Sequence, residues 1–107
     1  MTNKLDYRIL TEDISVDWKN FPVCRINDHV VRLSVMQKDY HWHKHEMSDE
    51  FFYVIEGELY VDFEDKTETL TAGQMIKVPK NVLHRTRSEK RTTMLCFESI
   101  DNDITGD

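Results

Sequence analysis

The residue types that can do chemistry cluster in two short stretches. His41, His43 and His45 lie within five residues, the acids Asp49 and Glu50 follow, and His84 comes later, just after Pro79-Lys80-Asn81. His43 and His45 are spaced i, i+2. On a strand that spacing puts both imidazoles on one face with Cα atoms roughly 7 Å apart. Two ring nitrogens so placed can converge on one ion at about 2.0–2.2 Å. Glu50 shares strand parity with Phe52 and Val54, so its carboxylate is expected to point inward with them. A carboxylate aimed into an apolar interior is costly unless it is paired or holds a metal. His84 opens a later strand and can supply a third imidazole from across a barrel. Taken alone, His41-Trp-His-Lys-His reads as a solvated polar strand edge. The acid five residues after His45, Gly57 seven residues after that, and the downstream Gly73-to-Pro79-to-His84 run change that reading.

The elements that must position these residues read as β-structure. Val30–Met36 (VVRLSVM) is rich in β-branched residues, with Val31, Leu33 and Val35 on one face and Arg32 and Ser34 on the other. Phe51–Ile55 is apolar on both faces, which suits a strand covered on both sides. Residues 58–64 alternate, with Leu59, Val61 and Phe63 inward, and Glu56-Gly57 predicts a tight hairpin with Gly57 at positive φ. Further strands are expected over 67–71, 74–78, 83–86 and 91–97, about eight in all. Thr11-Glu12-Asp13 is expected to start one helical turn with Ile14 and Trp18 on one face. Asn27-Asp28-His29 reads as a turn, which leaves His29 without a role. Short strands at regular spacing with no long helix point to an all-β antiparallel sandwich or barrel. Pro22 and Pro79 suit strand starts or edges.

Composition sets the outer limits. A chain of 107 residues is one domain's worth, expected as an N-terminal arm over 1–20, a barrel core over 30–98 and a polar tail over 99–107. The formal net charge of −6 argues against a nucleic-acid partner and an anionic membrane surface. No run approaches the roughly 18 apolar residues of a membrane span. The polar start, with Lys4, Asp6 and Arg8, lacks an export signal, so a cytoplasmic location is expected. Cys24 and Cys96 form no CxxC pair and are expected as reduced, small, buried apolar residues, although a disulfide is possible on counting alone.

At these residues the chain resembles a cupin. The first cupin motif runs G-x5-H-x-H-x(3,4)-E-x6-G, and His43, His45, Glu50 and Gly57 match it from its first histidine onward. The second runs G-x5-P-x-G-x2-H-x3-N, and Gly73, Pro79 and His84 match in spacing. The resemblance covers about residues 30–97. Three positions depart from the motifs: Gln37 and Asn81 stand where glycines are usual, and Ser88 where asparagine is usual. None is a metal ligand in the family, and Asn tolerates the left-handed turn that Asn81 must make.

The resemblance implies a jelly-roll barrel, the double-stranded β-helix, with His43, His45, Glu50 and His84 around one divalent ion. That donor set suits Fe, Mn, Ni, Zn, Co or Cu. Four protein ligands on an octahedral ion leave two positions for water or a substrate. The function expected is binding of a small polar molecule at the ion, as a metal-dependent oxygenase or isomerase, with a non-catalytic sensor as the alternative. A structural barrel whose histidines coordinate nothing is a third reading. His41 shares parity with His43 and is a candidate to stand behind the ligands or to contact substrate. Tyr40, Met36, Phe52 and Met94 are candidates for the cavity mouth or ordinary core. Arg32 and Arg85 read as solvated strand residues, with selection of an anionic substrate as the alternative, and Glu98 reads as a solubility residue. Family habit and the doubly apolar strand 51–55 suggest a homodimer.

Overall fold

The computed structural model describes residues 3–102, a helical turn followed by seven antiparallel strands. Helix α1 (Tyr7–Thr11) is capped by Asp6, whose side chain accepts from the Arg8 amide at 2.9 Å. Its carboxyl end is held by the Arg91 guanidinium, which donates to the carbonyls of Thr11 and Ile14. The helix thus lies before the turn expected at 11–13. Trp18, expected on its face, instead opens strand β1 (Trp18–Ile26), which runs into the region expected as a loose arm. This strand carries little alternation because it is a mostly exposed edge, and its register shifts between Pro22 and Cys24. Pro22 therefore sits where a missing ladder donor matters least. Cys24 is exposed, against expectation, Cys96 is buried, and both are free thiols.

Asn27, at φ 55°, turns the chain into β2 (His29–Asp39). Strand β3 (Glu50–Glu56) passes through Gly57, at φ 96°, into β4 (Glu58–Phe63). Strands β5 (Thr67–Thr71) and β6 (Met75–Val78) follow. The two final strands expected are one continuous strand, β7 (His84–Ser99). The polar stretch Ser88-Glu89-Lys90 looks like a break in the sequence but is only where β7 changes neighbours. Its first part, His84–Arg87, pairs with β4 and its later part, Thr93–Glu98, with β3, while β2 pairs along it from Arg87 to Ser99. Seven strands thus replace the eight expected. One long strand shared between two sets of partners wraps the sheet around a common interior.

That interior is Met36, Phe52, Val54, Leu59, Val61, Leu70, Val78, Met94 and Cys96. The face of β2 that carries Val31 and Leu33 turns outward. There it meets Leu5, Tyr7 and Leu10 from the N-terminal segment, while Ser34 and Met36 line the inner cavity. Residues 99–102 are not a loose tail: Asn102 is buried and donates to Glu98 at 2.7 Å. The rest of the expected tail, 103–107, lies outside the described residues.

Candidate metal centre

Glu50 begins β3 and His84 begins β7, so both are fixed by ladder bonds. His43 and His45 are not on a strand, as expected from their spacing, but on the extended connection between β2 and β3. The chain leaves β2 after a bulge between Met36 and Lys38, with Lys38 at φ 75°. It is pinned again where His43 and His84 exchange backbone hydrogen bonds, each 2.9 Å. His45 is placed by the opposite loop. Asn81, at φ 65°, adopts the left-handed turn its type allows, and its amide donates to the His45 carbonyl at 2.8 Å. The neighbouring Lys80 amide donates to Asp49 at 2.9 Å. The loop residues after Pro79 therefore hold both sides of the entry into β3.

These connections gather His43, His45, Glu50 and His84 into one buried group. Each offers a ligand atom within 4.8 Å of the others. Donors about 2.1 Å from one ion stand roughly 3.0 Å apart when adjacent and 4.2 Å apart when opposite, so the group fits a single ion. All four side chains are at most 6% exposed as residues.

The hydrogen bonds set the protonation. His43 Nδ1 donates to the His41 carbonyl and His84 Nδ1 to the Val82 carbonyl, each at 2.8 Å. A carbonyl only accepts, so Nδ1 of each ring carries a proton and Nε2 points inward. Burial pushes the His43 imidazole down to about 4, against the pull of the His41 carbonyl, so it is neutral at pH 7. Glu50 Oε1 stands 3.3 Å from His45 Nε2 and 3.4 Å from His84 Nε2. Burial alone would raise the Glu50 carboxyl, but the His45 and His84 imidazoles reverse the sign and hold it below the usual range. Neither His84 Nε2 nor Glu50 Oε1 makes a well-aligned hydrogen bond among the described residues, and a proton or a metal cation between them would serve both atoms. Three inward imidazole nitrogens and one carboxylate oxygen gathered in a buried group are also the donor set of a divalent-ion site. The residues present therefore fit a divalent ion.

Above this group a cavity of about 30 Å³ is lined by Trp18, Asn20, Ser34, Met36, Tyr40 and Met94, among others. It has room for a water-sized ligand. Tyr40 stacks on Trp18, with centroids 5.1 Å apart, and meets the His43 ring edge-on at 5.2 Å. Phe52 is buried in the core and also reaches this cavity. The His41 ring is exposed, packs on Tyr40 at 4.2 Å and lies 5.2 Å from the His43 ring, and its backbone carbonyl accepts from His43 Nδ1.

Both arginines considered for substrate are half-buried and paired with acids. Arg32 donates to Glu98 at 3.0 Å. Arg85 and Arg87 converge on the buried Asp62 at 2.9 and 2.7 Å, and Arg85 also covers the Trp42 ring at 5.3 Å. His29, left without a role, stacks on Phe97 and pairs with Asp28.

Glu98, expected as a solubility residue, is 2% exposed and directly opposite Glu50 across the β3–β7 ladder. Burial first, and the Glu50 charge second, push its carboxyl up to about 7. The sequence signal for its burial is its strand parity with Met94 and Cys96.

Known proteins agree with this architecture. Residues 29–99 match the Cupin_2 family, described as a cupin domain. The chain is 46% identical over 90 residues to the uncharacterized protein YdbB of Bacillus subtilis, covering 83% of this chain and 80% of that one. Among solved structures, a cupin-2 domain containing protein from Shewanella frigidimarina superposes with a TM-score of 0.84 at 27% identity, covering 89% of this chain and 93% of that one. Protein NMB1881 from Neisseria meningitidis superposes with a TM-score of 0.81 at 31% identity, covering 91% and 99%. With both motifs in place and residues 29–99 matched, the chain belongs to the cupin domain family.

Proposed function

We propose that this protein is a single-domain cupin that binds one divalent transition metal ion through His43, His45, Glu50 and His84 and holds a small polar molecule beside it. The observation that carries the reading is the buried convergence of His43, His45, Glu50 and His84, whose ligand atoms lie within 4.8 Å of one another. Fe, Mn, Ni, Zn, Co and Cu all suit three imidazoles and one carboxylate. A bound ion of this kind polarises an oxygen ligand or activates water or O₂, which suits a metal-dependent oxygenase or isomerase. The chain's own residues do the rest. The carbonyls of His41 and Val82 keep the Nδ1 protons of His43 and His84 away from the ion. Met36, Phe52 and Met94 keep bulk water from the interior, and Trp18 and Tyr40 form the rim that a ligand larger than water must displace.

A second reading, a non-catalytic sensor or binding domain, is favoured by the size of the cavity, about 30 Å³. Protein purified without chelators separates the possibilities. Elemental analysis is expected to find close to one ion per chain, and His84→Ala to lower it severalfold. An enzyme then turns over a substrate in a metal-dependent way, whereas a sensor shows saturable binding without product. Less than about 0.1 ion per chain contradicts both readings. We also take the protein to be a cytoplasmic homodimer without nucleic-acid or membrane partners. Support for the dimer comes from the half-buried outer residues Phe51, Tyr53 and Ile55 and the exposed Ile9 and Ile26. The acidic balance speaks against nucleic acid.

A further inference from the structure

The two oxygens of Glu50 have different surroundings. Oε1 faces His45 and His84 at 3.3 and 3.4 Å. Oε2 faces the other way, 3.5 Å from Cys96 Sγ, a distance at which a thiol donates a hydrogen bond. Beyond it lies Glu98, the cross-strand partner of Glu50. Two acids directly opposite on neighbouring strands repel, so an unrestrained Glu50 carboxylate would rotate or withdraw. Glu98 is itself held from its far side. Arg32 Nε donates to its Oε1 at 3.0 Å and Asn102 Nδ2 to its Oε2 at 2.7 Å. Cys96 is 2% exposed and forms no disulfide, so its thiol is a buried donor with Glu50 Oε2 as its acceptor.

We infer that Cys96 is a positioning residue for the metal centre: its thiol, donating to Glu50 Oε2, turns the carboxylate so that Oε1 alone is presented to the ion. The inference rests on the metal reading of His43, His45, Glu50 and His84. Partners that orient a metal ligand from behind typically change metal affinity by about 10–100-fold when removed. A thiol is a weak donor, so the lower end of that range applies. Serine keeps a donor at the same place, while alanine and valine remove it.

The test uses the full chain, stripped of metal, with Co²⁺ as the probe. Titration gives the affinity, and the visible absorption bands of Co²⁺ report its ligand geometry. Cys96→Ala is expected to weaken Co²⁺ binding by about tenfold and to alter the bands, and Cys96→Ser to restore both. A structural role alone would not be rescued in the spectrum by a smaller, more polar side chain. Wild-type affinity and bands in Cys96→Ala overturn the inference, and so does a Cys96→Ser variant that behaves like Cys96→Ala, because packing would then be the cause. If Cys96→Ala does not fold, the S–H stretching band decides. It is measured in a Cys24→Ser background, where Cys96 is the remaining thiol. A band at lower frequency than that of a free thiol, moving in Glu50→Gln, supports the inference, and a band that does not respond overturns it. Failure of the metal reading looks different, because the wild-type chain would then bind no Co²⁺, and the inference would fall with it.

Discussion

Replacing Glu50 by Gln distinguishes an ion cradle from a self-sufficient polar network. Glu50 and Glu98 are buried opposite each other, and Glu98 titrates near 7 where an ordinary glutamate titrates near 4.5. At about 1.4 kcal/mol per pH unit, ionising Glu98 in the folded chain costs roughly 3 kcal/mol more than in the unfolded chain. Burial is the largest cause and the Glu50 charge the second, so about 1 kcal/mol is attributable to Glu50. If Glu50 serves an ion alone, Glu50→Gln in chelator at pH 8 is therefore expected to stabilise the protein by about 1 kcal/mol, raising the unfolding midpoint by a few degrees, whereas the His45 and His84 imidazoles that hold the Glu50 carboxyl low would turn this into a loss if they depend on its charge without an ion. The sign follows from linkage. A carboxyl whose folded value is raised contributes no penalty below the unfolded value and a growing one as pH rises through the folded value. The gain should therefore shrink between pH 8 and pH 5. With a divalent ion at 100 times its Kd, the wild type gains about 2.7 kcal/mol and the variant much less, so the order of stability reverses. Thermal unfolding in chelator and in metal measures both halves. A metal-free Glu50→Gln protein less stable than wild type by about 1 kcal/mol or more refutes the reasoning, because Glu50 would then be serving the imidazoles without any ion.

Two further outcomes follow from geometry away from the centre. At Gly57, φ 96°, an added Cβ would meet Thr92 Oγ1 at 2.5 Å, the Arg91 carbonyl at 2.7 Å and Thr92 Cα at 2.8 Å, whereas at Gly73, φ 89°, nothing lies within 4 Å. Denaturant melts should therefore show Gly57→Ala costing about 2–4 kcal/mol and Gly73→Ala about 1 kcal/mol, and equal costs would contradict the close β3–β4 turn. Asp62 accepts from Arg87, Arg85 and Thr67, and those donors, Arg87 foremost, hold its carboxyl below the ordinary 3.8 despite partial burial. Its contribution is present above pH 3.8 and is lost as pH falls below that value. Since the arginines are about 30% exposed, Asp62→Asn should cost only about 1–2 kcal/mol at pH 7 and nothing once both states are protonated. A cost that does not fall between about pH 4 and about pH 2 would contradict the ion-pair origin.

The parts of the molecule legible in the sequence are those where local pattern and tertiary role agree. The β3–β4 hairpin has alternation in β4, a glycine that must take positive φ, and no competing signal. The four candidate ligands are legible because few roles besides holding an ion suit an inward carboxylate and imidazoles at such fixed offsets. Asn81 was legible too, since only a few residue types sit comfortably at φ 65°. Strand β1 was not, because an exposed edge interrupted by Pro22 has no face to encode. Strand β7 looked like two strands because Ser88-Glu89-Lys90 is polar, yet Ser88 is buried where the sheet bends. Parity misled most at the histidines. His41, His43 and His45 alternate as on a strand, but the chain there is a connection. Consequently His43 and His45 face inward through loop contacts, while His41 offers its carbonyl and keeps an exposed ring beside that of His43. Glu98 was hidden by its type, since an acid near a chain end reads as solvated until its cross-strand partner is known.

The most direct test of the central claim is an anomalous-difference map from crystals of the protein loaded with one transition metal, recorded at that metal's absorption edge. The reading predicts a single strong peak about 2.0–2.3 Å from the inward nitrogens of His43, His45 and His84 and from Glu50 Oε1, with Glu50 Oε2 still turned toward Cys96. A featureless map at that point, or a peak held by other residues, would contradict it.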